Sequence, residues 1–159
     1  MSKILTISPD KCLSCRSCEL ICSFNKTGEF NPRESAVNVL AYEEAAISVP
    51  VMCMQCEDPA CMKVCPVGAI SRDENGAVVS DPKKCIVCKM CISACPMGNI
   101  SFSSNQRKIV KCNLCGGDPY CAKICPSGAI KYEDATTANI SKKRVIAEKF
   151  KDLFAEVNN

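Results

Sequence analysis

The sequence contains no histidine and no tryptophan, and only five phenylalanines and three tyrosines in 159 residues. Without histidine it lacks the side chain that most often serves as general acid or base near neutral pH. No glycine-rich phosphate loop is found either, so nucleotide-dependent chemistry has no visible seat. No apolar run approaches the roughly 18 residues that suggest a membrane span. The first nine residues, Met1 to Pro9, carry no long apolar run and no small-residue cleavage site. That argues against a secretory leader and for a cytoplasmic protein. Large side chains are scarce although 47% of the residues are apolar, so the organic core is thin. A compact chain of one domain's size then needs another source of cohesion: disulfides, zinc or clusters.

Cysteine is the residue in excess. There are 16, in four groups of four: Cys12, Cys15, Cys18, Cys22; Cys53, Cys56, Cys61, Cys65; Cys85, Cys88, Cys91, Cys95; and Cys112, Cys115, Cys121, Cys125. Disulfides are not expected in a reducing compartment, and the thiols read as metal ligands. The first and third groups are C-x2-C-x2-C-x3-C, whereas the second and fourth lengthen the middle gap. Flanking residues repeat in the same order, which indicates duplication of a two-group unit. After three groups the chain reads Pro-x-Gly-x-Ile, at Pro66 to Ile70, Pro96 to Ile100 and Pro126 to Ile130, each a turn entering a strand. Hairpins are expected around Asp73-Glu-Asn-Gly76 and between Asn99–Ser103 and Lys108–Lys111. Residues 23–52 interrupt the pattern, loop-like at Gly28 to Arg33 and strand-like at Ala36 to Tyr42.

A cubane needs four soft thiolates converging from different directions, and C-x2-C-x2-C wraps three corners. The fourth cysteine, in a helical turn, points away and ligates the neighbouring cluster, so paired groups exchange fourth cysteines. Structural zinc also uses C-x2-C pairs, but four groups of four, three Cys-Pro endings and no histidine argue against it. The plant-type [2Fe–2S] spacing C-x4-C-x2-C is absent. Four [4Fe–4S] clusters are therefore expected. The formal charge of +3 counts the cysteines as neutral; four oxidised clusters at about −2 each bring the total to about −5. The basic composition is thus no argument for nucleic acid.

These motifs resemble those of the four-cluster, ferredoxin-like electron-transfer subunits of anaerobic and respiratory oxidoreductases, over about residues 3 to 135. The resemblance implies an α+β, duplicated bacterial dicluster-ferredoxin-like fold over 1–135 with short hairpins and cluster-wrapping loops. It pairs the first group with the fourth and the second with the third. The implied ligand sets are Cys12, Cys15, Cys18 with Cys125; Cys112, Cys115, Cys121 with Cys22; Cys53, Cys56, Cys61 with Cys95; and Cys85, Cys88, Cys91 with Cys65. The stretch around Cys15 to Phe24, with Gly28-Glu-Phe-Asn-Pro32 and Cys112 to Pro119, looks most like the small subunits accompanying tungsten-dependent aldehyde oxidoreductases and the tungsten type of benzoyl-CoA reductase. Equivalent subunits of carbon monoxide dehydrogenase, formate dehydrogenase and hydrogenases share much of it. One departure is that Cys22 is followed by Ser23 rather than proline.

With every iron saturated by thiolates, no open metal position is left for a substrate. The expected role is a non-catalytic subunit carrying electrons between a larger metalloenzyme, with a tungsten or molybdenum pterin, and a second redox protein. The alternative is a free polyferredoxin shuttle. From about Ser141 to Val157, within a tail of residues 136–159, Ile146, Phe150, Leu153, Phe154 and Val157 recur at helical spacing. Lys142, Lys143, Glu148, Lys151 and Asp152 oppose them. This amphipathic helix is a candidate contact with a partner or with a second copy of the chain.

Overall fold

The computed structural model describes residues 3–157; in the last helix the side chains at 141, 142, 145, 149, 150 and 152–157 lie outside the described residues. The fold mixes short helices with four two-stranded antiparallel sheets. The outermost sheet joins distant parts of the chain: β1 (Lys3–Ile7) pairs with β8 (Ile130–Asp134), from Lys3↔Asp134 to Ile7↔Ile130. Thr6 Oγ1 donates to Glu133 Oε1 across it at 2.8 Å. This closure brings the first and fourth cysteine groups together. Cys18 and Cys121 are buried in one core with Val37, Val39, Met52 and Ile130, and Cys12, Cys22 and Cys125 pack against it.

The middle of the chain forms a second core from the expected hairpins, β4 (Ile70–Arg72) with β5 (Val78–Ser80) and β6 (Ser101–Ser103) with β7 (Lys108–Val110). At the first turn Asp73 Oδ1 accepts the amides of Asn75 and Ala77 at 2.9 and 2.8 Å, and Gly76 supplies φ +77°. An Asx turn of this kind accounts for the Asp-Glu-Asn-Gly sequence. Ile70, Val78, Ile100 and Ile109 are buried with Cys61 and Cys91. Ile70, Ile100 and Ile130, which end the three Pro-x-Gly-x-Ile repeats, are thus core residues of the two halves.

Four helices start inside the cysteine groups: α1 (Ser17–Thr27), α2 (Ala60–Lys63), α3 (Met90–Ala94) and α4 (Tyr120–Ile124). The interrupting segment holds more order than its sequence suggests. α1 runs five residues past Cys22, until Gly28 at φ +78° donates its N–H to Phe24 O at 2.7 Å. Then β2 (Val37–Tyr42) pairs with β3 (Ile47–Met52). Pro50 speaks against β3 when the sequence is read alone, because it has no N–H for a ladder. Its partner in the register, Val39, points its own N–H away from β3 to the buried Glu19 Oε1 at 2.6 Å, so this pair lies between the ladder hydrogen bonds and no acceptor waits on an N–H from Pro50.

The last helix, α5 (Ala135–Val157), begins about six residues before the expected Ser141. No glycine or proline separates it from β8, and Ala138, 1% exposed, lies where the helix meets β1 and β8. Further along, Ile140 and Ile146 are about half exposed. Of the expected faces, Phe150, Leu153, Phe154, Val157, Lys142 and Asp152 fall outside the described side chains.

Candidate iron–sulfur sites

Four cavities are lined by four cysteines each. Cys12, Cys15 and Cys18 share one with Cys125; Cys112, Cys115 and Cys121 share the next with Cys22. Cys53, Cys56 and Cys61 are joined by Cys95, and Cys85, Cys88 and Cys91 by Cys65. Three cysteines of each set come from one group and the fourth from another. The helices explain the exchange. In every group the third cysteine is the second residue of its helix, and the fourth lies four residues later, within α1 or just past the ends of α2, α3 and α4, so the two thiols leave one helical turn toward different cavities. α1 packs on α4 and α2 on α3, which makes the exchange reciprocal.

Position within the group sets exposure. The third cysteines, Cys18, Cys61, Cys91 and Cys121, are each 8% exposed, whereas Cys15, Cys56 and Cys88 are open to solvent. Burial pushes the Cys18 and Cys121 thiols up to about 12, aided by Glu19 beside Cys18 and by Cys112 beside Cys121. Burial also raises Cys61 and Cys91. Without metal these thiols stay protonated, and a cationic centre must supply the charge that makes them thiolates.

The fourth cysteines are treated differently. Burial works against the thiolate at Cys65 and Cys125, but backbone amides outweigh it and draw both below the ordinary thiol value. Ala69 donates its N–H to Cys65 Sγ at 3.2 Å and Asn99 to Cys95 Sγ at 3.3 Å. The Pro-x-Gly repeat builds this contact: proline cannot extend the helix, and Gly68, Gly98 and Gly128 turn the chain at φ +61°, +62° and +67°. Cys22 lacks the repeat, and its amide comes from Ala36 at 3.4 Å, fourteen residues on. Ser23, fully buried, organises that detour by donating to Leu20 O at 2.8 Å and accepting from Asn31 N at 3.2 Å. The interrupting segment thus replaces a missing turn.

The loops between the first three cysteines hold backbone in the left-handed region. Among the described residues, nine non-glycine residues have positive φ, and seven of them are Ser14, Arg16, Gln55, Val87, Lys89, Leu114 and Cys115, at +49° to +64°. Such residues cost about 1–2 kcal/mol each, and a β-branched one such as Val87 is a marked outlier. Left-handed residues interleaved with ordinary ones turn successive N–H groups toward a common point, the concavity that receives anions and iron–sulfur centres. A single tetrahedral zinc ion would draw its four sulfurs to about 3.8 Å of one another, at Zn–S of about 2.3 Å. Among the described residues no group of three or more His, Cys, Asp or Glu side chains could hold one metal ion. Quartets of thiols lining one cavity each, beside loops with interleaved left-handed backbone, fit a cubane.

Three side chains that the sequence did not single out shape these sites. Gln55 bridges the two halves, donating from Nε2 to Cys112 O at 3.1 Å and accepting from Val78 N at 2.8 Å. Asn99 Nδ2 donates to Met52 O at 2.7 Å. Lys111, buried, donates to Cys53 Sγ at 3.3 Å, to Cys112 O at 3.3 Å and to Val78 O. No periodicity marks them, because each acts across a junction between segments distant in sequence.

Ser14 is exposed at φ +55°, so its substitution tests the loop strain with little loss of packing. Ser14→Gly should raise the thermal midpoint of the iron-loaded protein and slow iron loss to a chelator, by an amount corresponding to about 1 kcal/mol. Ser14→Val should do the opposite. Equal behaviour of the two variants in anaerobic melts would show that this residue is not strained in the loaded loop.

Residues 44–135 match the family described as "4Fe-4S dicluster domain", and residues 9–25 match "4Fe-4S binding domain". The chain is 44% identical over 85 residues to the polyferredoxin-like subunit of an aliphatic sulfonate oxidoreductase of Pyrococcus furiosus, covering 53% of this chain and 49% of that protein. It is 33% identical over 94 residues to the putative electron transport protein YsaA of Escherichia coli K12, covering 56% and 59%. The chain thus spans about half the length of the curated relatives it matches. Among solved structures, the active site complex BamBC of benzoyl coenzyme A reductase, as isolated, has a chain that aligns over 98% of this one and 95% of its own, at 24% identity and TM-score 0.49. The matched segments contain all sixteen cysteines. With its loops and thiols arranged for cubanes, the chain belongs to the 4Fe-4S dicluster domain family.

Proposed function

We propose that each of the four cysteine quartets holds one [4Fe–4S] cluster and that the chain relays single electrons between a catalytic oxidoreductase subunit and a second redox partner. When bound, such clusters take up and give back one electron at a time without bonding to a substrate. What carries the reading is that the quartets use all sixteen thiols, so no coordination position is left open. The chain's own work is to hold, order and insulate. Cys18 and Cys121 share one core and Cys61 and Cys91 the other, while Lys111 touches both Cys53 and the carbonyl of Cys112. These contacts favour the order Cys12 quartet, Cys112 quartet, Cys53 quartet, Cys85 quartet.

A row with two ends suits two partners. Leu13, 68% exposed, borders the Cys12 cavity, and Ile86, 61% exposed, borders the Cys85 cavity. Apolar side chains left bare over the end sites are suited to burial by docking proteins. We assign residues 1–135 to the four-cluster domain and 136–159 to a helical tail whose amphipathic face contacts the catalytic subunit or another copy. The relatives include a subunit of an aliphatic sulfonate oxidoreductase, and the motifs resemble those of tungsten aldehyde oxidoreductase partners. A tungsten enzyme in the cytoplasm is therefore the partner we favour; a free shuttle is the alternative.

Cys125→Ser tests the ligand exchange. It should perturb the cluster held by Cys12, Cys15 and Cys18 more than the one held by Cys112, Cys115 and Cys121 of its own group, as read by electron paramagnetic resonance of the reduced protein. Loss confined to the second cluster would contradict the exchange. For the partner, the chain captured anaerobically from native cells should bring with it a larger subunit containing tungsten. A chain that elutes alone, without an associated metalloenzyme, would favour the free shuttle.

A further inference from the structure

Lys111 is the only lysine or arginine in the buried set of described residues, at 3% exposure. It borders the Cys53 cavity. Its ammonium is held by Cys53 Sγ at 3.3 Å and by the carbonyls of Cys112, at 3.3 Å, and Val78. Its own carbonyl accepts from Lys26 Nζ at 2.9 Å, which fixes the backbone as well. Among the described residues the ion pairs within 4.0 Å are Arg16–Glu19, Lys63–Asp58 and Lys123–Asp118, and none includes Lys111. A buried ammonium facing only neutral carbonyls and a sulfur is costly unless an anion compensates it. An anionic cluster on the Cys53 quartet is that counter-charge.

The relation works in both directions. Adding an electron makes a cluster more negative, so a fixed cation and an N–H···S contact stabilise the reduced form more than the oxidised one. The other three cavities have cations too, but in weaker settings. Arg16 and Lys89 are exposed, where water and salt screen them, and Lys26 is half-buried with its ammonium spent on Lys111 O and Asn113 Oδ1. We propose that Lys111 raises the reduction potential of the cluster held by Cys53, Cys56, Cys61 and Cys95 and makes it the first of the four to be reduced. This rests on the cluster assignment above. One electron, taken from a donor protein or a chemical reductant, would then settle at the junction of the two halves before reaching either end. Lys111 takes no part in the transfer itself; it fixes a charge and one N–H···S contact beside the cluster that receives the electron.

The test is an anaerobic redox titration of the whole iron-loaded protein with dithionite, followed by electron paramagnetic resonance. In Lys111→Met the first signal to appear should move to a more negative potential, with the other three in place and iron content unchanged. Lys111→Gln, which keeps a donor but no charge, should shift the same signal less, and Lys111→Arg should restore it. A first signal that stays put in an iron-replete Lys111→Met protein would overturn the proposal. So would four signals moving together, the mark of general loosening. If the Met and Gln variants lose iron, Cys56→Ser with Lys111 intact decides: it should alter the first-reduced signal, and alteration of a later one would refute the role given to Lys111. A wild-type protein lacking four cubane signals would instead refute the cluster assignment.

Discussion

Four thiolates must converge on each centre, and a single short stretch of chain reaches only three corners of a cubane. Much of the structure follows from that constraint. Each group spends its first three cysteines on one site and sends its fourth, a helical turn away, to the neighbour. Groups must then come in pairs, and helix must lie against helix. The first group is paired with the fourth across most of the chain, and the β1–β8 sheet closes that distance. Sulfur takes over the task of the missing aromatics: buried cysteines sit among Ile130, Val37 and Met52 in one core and among Ile70, Val78 and Ile109 in the other.

Thiols packed this way are poorly placed in the absence of metal. Those of Cys18 and Cys121 are pushed up to about 12 by burial, and seven loop residues sit in left-handed backbone that no hairpin or helix requires. Both are costs that a bound anionic cluster, with its iron drawing thiolates and its sulfides drawing amides, can offset. The fourth cysteines are prepared in advance by the amides after Pro-x-Gly, or in the case of Cys22 by Ala36. Cluster binding should therefore stabilise the folded chain, whose organic core is thin.

Much of this was legible in the sequence, because cysteine spacing is a local code. The three Pro-x-Gly-x-Ile repeats marked turns entering strands, and Asp73 to Gly76 marked a hairpin. Other features were not legible, since each depends on contacts between distant residues. Pro50 hid β3, because only the pairing with Val39 places the proline between the ladder hydrogen bonds, where its missing N–H costs nothing. The start of α5 at Ala135 was missed because the apolar period begins later than the helix, whose first turns are anchored by Ala138. Nothing in the sequence sets Lys111 apart from the other lysines, and its burial follows from the approach of Cys53 and Val78.

Everything above depends on sixteen thiols holding four cubanes and nothing else. Iron and acid-labile sulfide analysis of the anaerobically purified chain tests it most directly. About sixteen of each per chain are expected, four of each per cluster. About twelve iron with every cysteine intact, or zinc in place of iron, would contradict it.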